Sequence, residues 1–216
     1  MSSADALRLA LCAAGRRLLE ADLIAAAEGN LSARLPGGTF LVTPSGRSKA
    51  TLQPGDLLEV DAAGRVISGA GRPSTELAMH LAAFSARPDA MALVHAHPVT
   101  AVAFTIAGAA WPGDLVPEAA VTLGPVAVAP FATPGTIEVP ASLAPLLPGH
   151  DVLLLTRHGA LCLGATVEEA VGRMETLERV ARMALIARAL GSCEPLPPSA
   201  VEAVLRAAGK APRGGG

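Results

Sequence analysis

Three of the five histidines in this 216-residue chain stand where strands should end. Val94-His95-Ala96-His97-Pro98 closes an apolar run that begins at Met91. In an extended segment, side chains two residues apart leave the same face, so both imidazoles can reach one ion. Val152 to Thr156 is a second apolar run, and Arg157-His158-Gly159 follows it, which delivers a third imidazole to an equivalent edge. Three neutral nitrogen donors with one open position are a recurring catalytic zinc arrangement. His95, His97 and His158 are therefore expected to hold one divalent ion, zinc first, with manganese or cobalt also acceptable to imidazole. His80 reads instead as a packed or half-exposed side chain beside Leu77, Leu81 and Phe84, and His150 as a surface residue in a Pro-Gly-His-Asp loop.

Three polar segments precede the His-Ala-His motif. Pro73-Ser74-Thr75-Glu76 opens a helical stretch, where two hydroxyls and free backbone N–H groups make either a phosphate cradle or a plain N-cap. Thr43-Pro44-Ser45-Gly46 is a turn with a free hydroxyl and a flexible amide, again either a simple turn or an anion contact. Gly29-Asn30-Leu31-Ser32 places a short amide after a glycine. None is specific alone, and their order along the chain is what gives them weight.

These residues need elements to hold them. A helix is expected from about Ala4 to Ala27, with Ser3 as N-cap and Leu7, Leu11, Leu18 and Leu19 on its apolar face. Strands are expected over Thr39 to Thr43 and Leu57 to Asp61, with a hairpin turn at Ala63-Gly64 leading to Arg65-Val66-Ile67. Ser74 should cap a helix to about Ala86, and Pro98 should open another to about Ala107. Met91 to Ala96, Val121 to Ala129 and Val152 to Thr156 read as strands. Thr166-Val167-Glu168-Glu169 is a capping box for a long helix to about Leu190, and Ser199 to Glu202 caps a last short one. Helices packed on a sheet make the chain α/β.

Composition narrows the function classes. The chain is 51% hydrophobic, with mean hydropathy +0.45, yet no charge-free run is long enough to span a bilayer. Seventeen basic against nineteen acidic residues give a net charge of −2, without the basic block that nucleic acid requires. Cys12, Cys162 and Cys193 are odd in number and far apart, which argues against disulfides. The start lacks the pattern of a signal peptide, so a cytoplasmic protein is expected. Residues 1–208 read as one domain and 209–216 as a frayed tail. There is no tyrosine.

Taken in order, Gly29-Asn30-Leu31-Ser32-Ala33-Arg34, Thr43-Pro44-Ser45-Gly46, Ser74-Thr75-Glu76, Arg87-Pro88-Asp89, Val94-His95-Ala96-His97, Ala129 to Gly135 and His158-Gly159 resemble the class II aldolase/adducin family. The resemblance runs from about residue 5 to 191. It implies a three-layer α/β/α fold with a central, mainly antiparallel sheet, commonly in fourfold tetramers with sites between subunits. It assigns His95, His97 and His158 to the metal, Glu76 to acid/base work, and Asn30, Ser45, Gly46, Ser74 and Thr75 to a substrate phosphate. The implied reaction is cleavage of a ketose 1-phosphate into dihydroxyacetone phosphate and an aldehyde. The metal would neutralise the enediolate charge, and Glu76 would protonate the carbon.

The chain departs from that pattern at one catalytic position. Fuculose-phosphate aldolases take a tyrosine from the neighbouring subunit to handle the proton on the aldehyde oxygen. The matching segment here runs from Trp111 to Ala120, with Glu118 and Asp114 its titratable groups. Glu118, or a metal-bound water, is the expected replacement, although an intersubunit contact would explain Glu118 equally well. The same absence counts against pentulose-phosphate epimerases. The apolar segment around Pro117 and Thr122 to Val126 resembles aldolases for 5-deoxy- or 5-methylthio-pentulose 1-phosphates. Rival readings are an epimerase or decarboxylase on this scaffold, or a non-catalytic adducin-like interaction domain.

Overall fold

A computed structural model describes residues 3–211. Along it run α1 (Ser3–Glu20), β1 (Asn30–Arg34), β2 (Phe40–Val42), β3 (Leu58–Val60), β4 (Val66–Ser68), α2 (Leu77–Ala86), β5 (Ala92–Ala96) and α3 (Val99–Ile106). There follow α4 (Pro117–Thr122), β6 (Val126–Ala129), α5 (Glu138–Leu143), β7 (Val152–Leu155), β8 (Gly159–Gly164), α6 (Val167–Ala189) and α7 (Pro198–Ala207). The strands form one sheet in the order β4-β3-β2-β1-β5-β8-β7-β6. Each pairing is antiparallel except that of β6 with β7.

Side-chain alternation divides the central strands between two cores. Val94, Val152 and Leu154 join Leu11 of α1, Phe104 of α3 and Met174 of α6 on one face. Leu93, Leu153 and Leu155 join Met79 and Phe84 of α2 and Leu143 of α5 on the other. Each such fully buried chain contributes about 1.5–3 kcal/mol by leaving water. The result is the expected α/β/α sandwich with a mainly antiparallel sheet.

Strand direction builds the site. β5 and β7 both run antiparallel to β8, so their C-terminal ends lie at one edge of the sheet. β1 runs against β5 and brings its N-terminal end there, with Asn30 opposite His95. Just beyond, α3 is tied to α6 by buried Glu178, whose carboxylate accepts from the N–H groups of Thr100 and Ala101. That contact anchors the chain immediately after His97-Pro98.

Several expectations are corrected. Helix α1 stops at Glu20, not near Ala27: Leu23 N–H donates back to Leu18 O, and Asp22 and Ala26 take φ of 58° and 47°. The early stop delivers Leu23 and Ile24 to the core, which a continued helix would not. Leu19 is 43% exposed rather than inward, and Ser3 lies inside the helix rather than capping it. Helix α2 begins at Leu77, with Glu76 at the N-cap position and Ser74 ahead of it. Pro117 nucleates α4 where the start of a strand was expected, so β6 begins only at Val126. Helix α7 begins at Pro198, which places Ser199 within the first turn rather than at the cap. Thr166 does cap α6, its hydroxyl accepting from Glu169 N–H. All three cysteines are free. Of the expected tail, residues 212–216 lie outside the described ones, while Lys210 donates from Nζ to Val121 O.

Candidate active site

His95 is fully buried on β5, with Nδ1 2.9 Å from Ala160 O. A carbonyl oxygen only accepts, so Nδ1 carries the ring hydrogen and Nε2 presents a lone pair. His97 lies one residue past the strand, held by a hydrogen bond from its N–H to Leu23 O. Its Nδ1 is 3.3 Å from the Glu28 carboxylate, so its Nε2 is likewise the bare nitrogen. The two Nε2 atoms are 3.3 Å apart. His158 enters from the β7–β8 hairpin, where Arg157 adopts φ 59° and its N–H donates to Thr105 Oγ1. One donor nitrogen from each of the three rings lies within 4.8 Å of the others.

Bare nitrogens facing each other at that separation repel, and a cation between them removes the repulsion. Bonds of about 2.05 Å at the tetrahedral angle put ligand nitrogens about 3.4 Å apart, close to the observed spacing. Glu76 adds charge of the right sign. Its Oε2 is 3.2 Å from His95 Nε2 and its Oε1 3.2 Å from His158 Nε2. Oε2 accepts from Asn30 Nδ2 at 2.8 Å, whereas Oε1 and His158 Nδ1 are buried without a hydrogen bond. Burial alone would raise the Glu76 carboxyl, but His158, His95 and Asn30 outweigh it and hold the group well below the usual carboxylate range. Three imidazoles beside an ionised carboxylate fit a divalent metal. Burial, and the neighbouring His95, keep His97 on the neutral side as well.

Two glycines let these groups converge. A Cβ on Gly159 would lie 2.5 Å from Ala96 O, 2.7 Å from His97 Cδ2 and 3.0 Å from His95 Cε1. Gly29 takes φ 67°, and a Cβ there would meet His95 O at 2.8 Å.

Three polar residues outside the expected set of site residues surround the centre, and the first of them, His80, is packed as its place beside Leu77, Leu81 and Phe84 suggests. His80 is buried, with Nε2 2.5 Å from Asn30 Oδ1 and Nδ1 2.6 Å from Ser32 Oγ. Glu28 backs His97 and also accepts from Ala25 N–H. Lys49 is buried and donates from Nζ to Ala27 O and Arg47 O, which ties the loop before β1 to the loop after β2. Burial lowers its pKa, against the opposing pull of Glu76. The signals for all three were chemical rather than positional: a histidine on a helix face aimed at the sheet, a carboxylate five residues after a core leucine, and a lysine three past the Ser45-Gly46 turn.

The sequence model of the class II aldolase and adducin N-terminal domain matches residues 9–185. The chain belongs to the class II aldolase/adducin family. It is 33% identical to the 3-oxo-tetronate 4-phosphate decarboxylase of Escherichia coli O6:H1 over 162 residues, 73% of this chain and 76% of that protein. It is 30% identical to the 5-methylthioribulose-1-phosphate/5-deoxyribulose-1-phosphate aldolase of Rhodospirillum rubrum over 200 residues, 93% and 90% of the two. The crystal structure of L-fuculose-1-phosphate aldolase from Thermus thermophilus superposes with a TM-score of 0.76 at 36% identity, covering 88% of this chain and 98% of that one.

Within this class II aldolase fold the residues matched to phosphate binding lie at two places. Ser45, Gly46 and Thr75 are exposed and Ser74 half-buried, on loops strapped together by a Pro44–Pro73 bridge and a hydrogen bond from Ser45 N–H to Arg72 O. Ser74 Oγ accepts from Glu76 N–H. Asn30 is buried, its amide turned to Glu76 and its carbonyl to His80. Glu118 is exposed on α4 and lines a separate cleft of about 370 Å³ with Thr176, Arg179 and Met183, which includes none of the histidines. Among the described residues no helix is long and apolar enough to cross a membrane.

Proposed function

We propose that this protein is a zinc-dependent carbon–carbon lyase that converts a phosphorylated 3-oxo sugar acid to dihydroxyacetone phosphate and carbon dioxide. The observation that carries this reading is the pairing of one carboxylate, Glu76, facing the nitrogens of His95 and His158 with a chain that contains no tyrosine. In decarboxylation the carbon–carboxylate bond breaks and its electron pair passes into the adjacent ketone as an enediolate. One proton must then reach carbon, and carbon dioxide departs without exchanging a proton. Aldol cleavage also needs a group to take the proton from the hydroxyl that becomes the aldehyde, and these 216 residues offer no tyrosine for it.

A zinc ion held by His95, His97 and His158 would supply Lewis acidity for charge developing on substrate oxygens. Glu76 delivers the proton to carbon, and general acid catalysis of this kind is worth about 10²–10⁴-fold. Ser45, Gly46, Ser74 and Thr75 hold the phosphate and so place the reacting carbon against the centre. The 33% identity to a decarboxylase acting on 3-oxo-tetronate 4-phosphate supports this substrate class. Exposed Val99, Ile106, Leu185 and Leu190 support burial between copies of the chain.

Aldol cleavage of a ketose 1-phosphate is the second reading, favoured by the 93% coverage of this chain in the match to the Rhodospirillum rubrum aldolase. It passes through the same enediolate and would require Glu118 or a water to replace the tyrosine. A non-catalytic adducin-like role has no use for the ligand nitrogens and Glu76 together. The test is to offer 3-oxo-tetronate 4-phosphate and a panel of ketose 1-phosphates to the zinc-loaded protein. Carbon dioxide appearing with dihydroxyacetone phosphate is the expected result. An aldehyde without carbon dioxide establishes the second reading, and turnover that survives full metal removal sinks both.

A further inference from the structure

We infer that His80 is a positioning residue that fixes the direction of the Asn30 amide and, through it, decides which oxygen of Glu76 is left free for proton transfer. The inference rests on the reading above that Glu76 carries the proton. Glu76 and His80 are four residues apart around the start of α2, and Asn30 and Ser32 are two apart on β1, so each pair shares one face of its element. The two faces meet in an unbroken line of hydrogen bonds from Ser32 through His80 and Asn30 to Glu76 Oε2.

The line has one direction. Glu76 Oε2 accepts from Asn30, which must therefore present its NH2 to Glu76 and its oxygen to His80. An amide oxygen only accepts, so His80 Nε2 must carry a hydrogen. A neutral ring then has a bare Nδ1, and Ser32 O–H donates to it. Burial, with His95 adding to it and Glu76 opposing, holds the His80 pKa down to about 3, which keeps the ring neutral at ordinary pH. With Oε2 committed to Asn30, Oε1 is the carboxylate oxygen without a hydrogen bond, and it lies on the His158 side of the centre. Losing the Nε2 donor frees the Asn30 amide to turn over and present its oxygen to Glu76, which repels the carboxylate.

Two measurements on the zinc-loaded protein test the inference. Ring nitrogen NMR of 15N-histidine-labelled protein reads the tautomer directly and requires no substrate. The expected spectrum has hydrogen on His80 Nε2, unchanged between pH 6 and 8; hydrogen on Nδ1, or a tautomer mixture, overturns the inference. The second is kinetic, because Gln can place a donor near the Nε2 position whereas Asn cannot. H80N is expected to lower kcat about 10- to 100-fold at nearly constant KM, with zinc content kept at one per chain. H80Q is expected to restore most of that loss, and H80N in an N30A background to add little to N30A alone. Equal losses in H80N and H80Q, or additivity with N30A, overturn it. If wild-type protein turns over none of the phosphates offered, the functional reading fails while the tautomer still decides the relay.

Discussion

The Nε2 atoms of His95 and His97 face one another across 3.3 Å, each bare because its ring hydrogen is committed at Nδ1 to Ala160 O or to Glu28. The arrangement holds two electron pairs in repulsion unless a cation joins them, so metal binding and stability are coupled in this protein. Chelation should therefore lower the melting temperature. At ion concentrations 100-fold above Kd the bound ion adds about 2.7 kcal/mol of stability. His95→Ala should abolish both the stoichiometric metal, read by elemental analysis, and the response to chelator. A melting curve of the wild type indifferent to chelator would contradict the coupling.

Glu76 contacts two of the ligand rings yet has its own hydrogen bond to Asn30, so Glu76→Gln should retain metal. Its kcat should fall by about 10²–10⁴, the span of general acid–base catalysis. Metal content and single-turnover rates measured on one preparation separate the two effects. Normal turnover would place the proton donor elsewhere.

Gly159 has no room for a methyl group between the Ala96 carbonyl and the His95 and His97 rings. Gly159→Ala should destabilise the fold by about 1–3 kcal/mol, the usual cost of overpacking, and weaken metal binding by displacing both rings. Denaturant melts with and without metal would show the stability cost and a reduced metal-dependent increment. An unchanged increment would mean that the rings shift without losing their ion.

Glu28 supports His97 from the side opposite the metal position, as an outer carboxylate does in carboxylate–histidine–metal arrangements. Glu28→Ala should weaken metal affinity about 10- to 100-fold, read by competition with a chromophoric chelator. Affinity equal to wild type would assign Glu28 to closing the Ala25 turn alone.

His80 has a pKa near 3 in the fold against 6.5 when free, so the unfolded chain takes up a proton that the native state refuses. Its contribution is fully present above pH 6.5 and is progressively lost as pH falls from there toward 3. A shift of this direction removes up to about 1.4 kcal/mol per pH unit within that window. His80→Gln should flatten the stability profile between those limits in urea melts. An identical slope in wild type and variant would show that other groups set the acid limb.

The local pattern of the chain made part of this legible. Alternation in Val94 to His97 put both rings on one face, and their Nε2 atoms meet at 3.3 Å. The Thr166 cap and the hairpin at Gly64 were equally local, because each depends on groups within four residues. Strand β8, Gly-Ala-Leu-Cys-Leu-Gly, was not legible, since it lacks β-branched residues and is extended because β5 and β7 pair with it on both sides. Polar β1 is a strand for the same reason, between β2 and β5. Helix α1 stops early because the core needs Leu23 and Ile24, a demand that an alanine-rich run cannot display.

The sequence by itself determined the three metal-ligand candidates, the carboxylate beside them, the missing tyrosine and the layered class of fold. These follow from residue type, short spacing and the order of motifs along the chain. Only the tertiary structure decided what stands behind those groups. His80 meets Asn30 across 50 residues and Ser32 across 48, and Gly159 is needed because a carbonyl and two rings from another strand occupy its side-chain space. Period and propensity act over a few residues, whereas a hydrogen-bond relay or a steric void is a property of chain segments brought together by burying two cores.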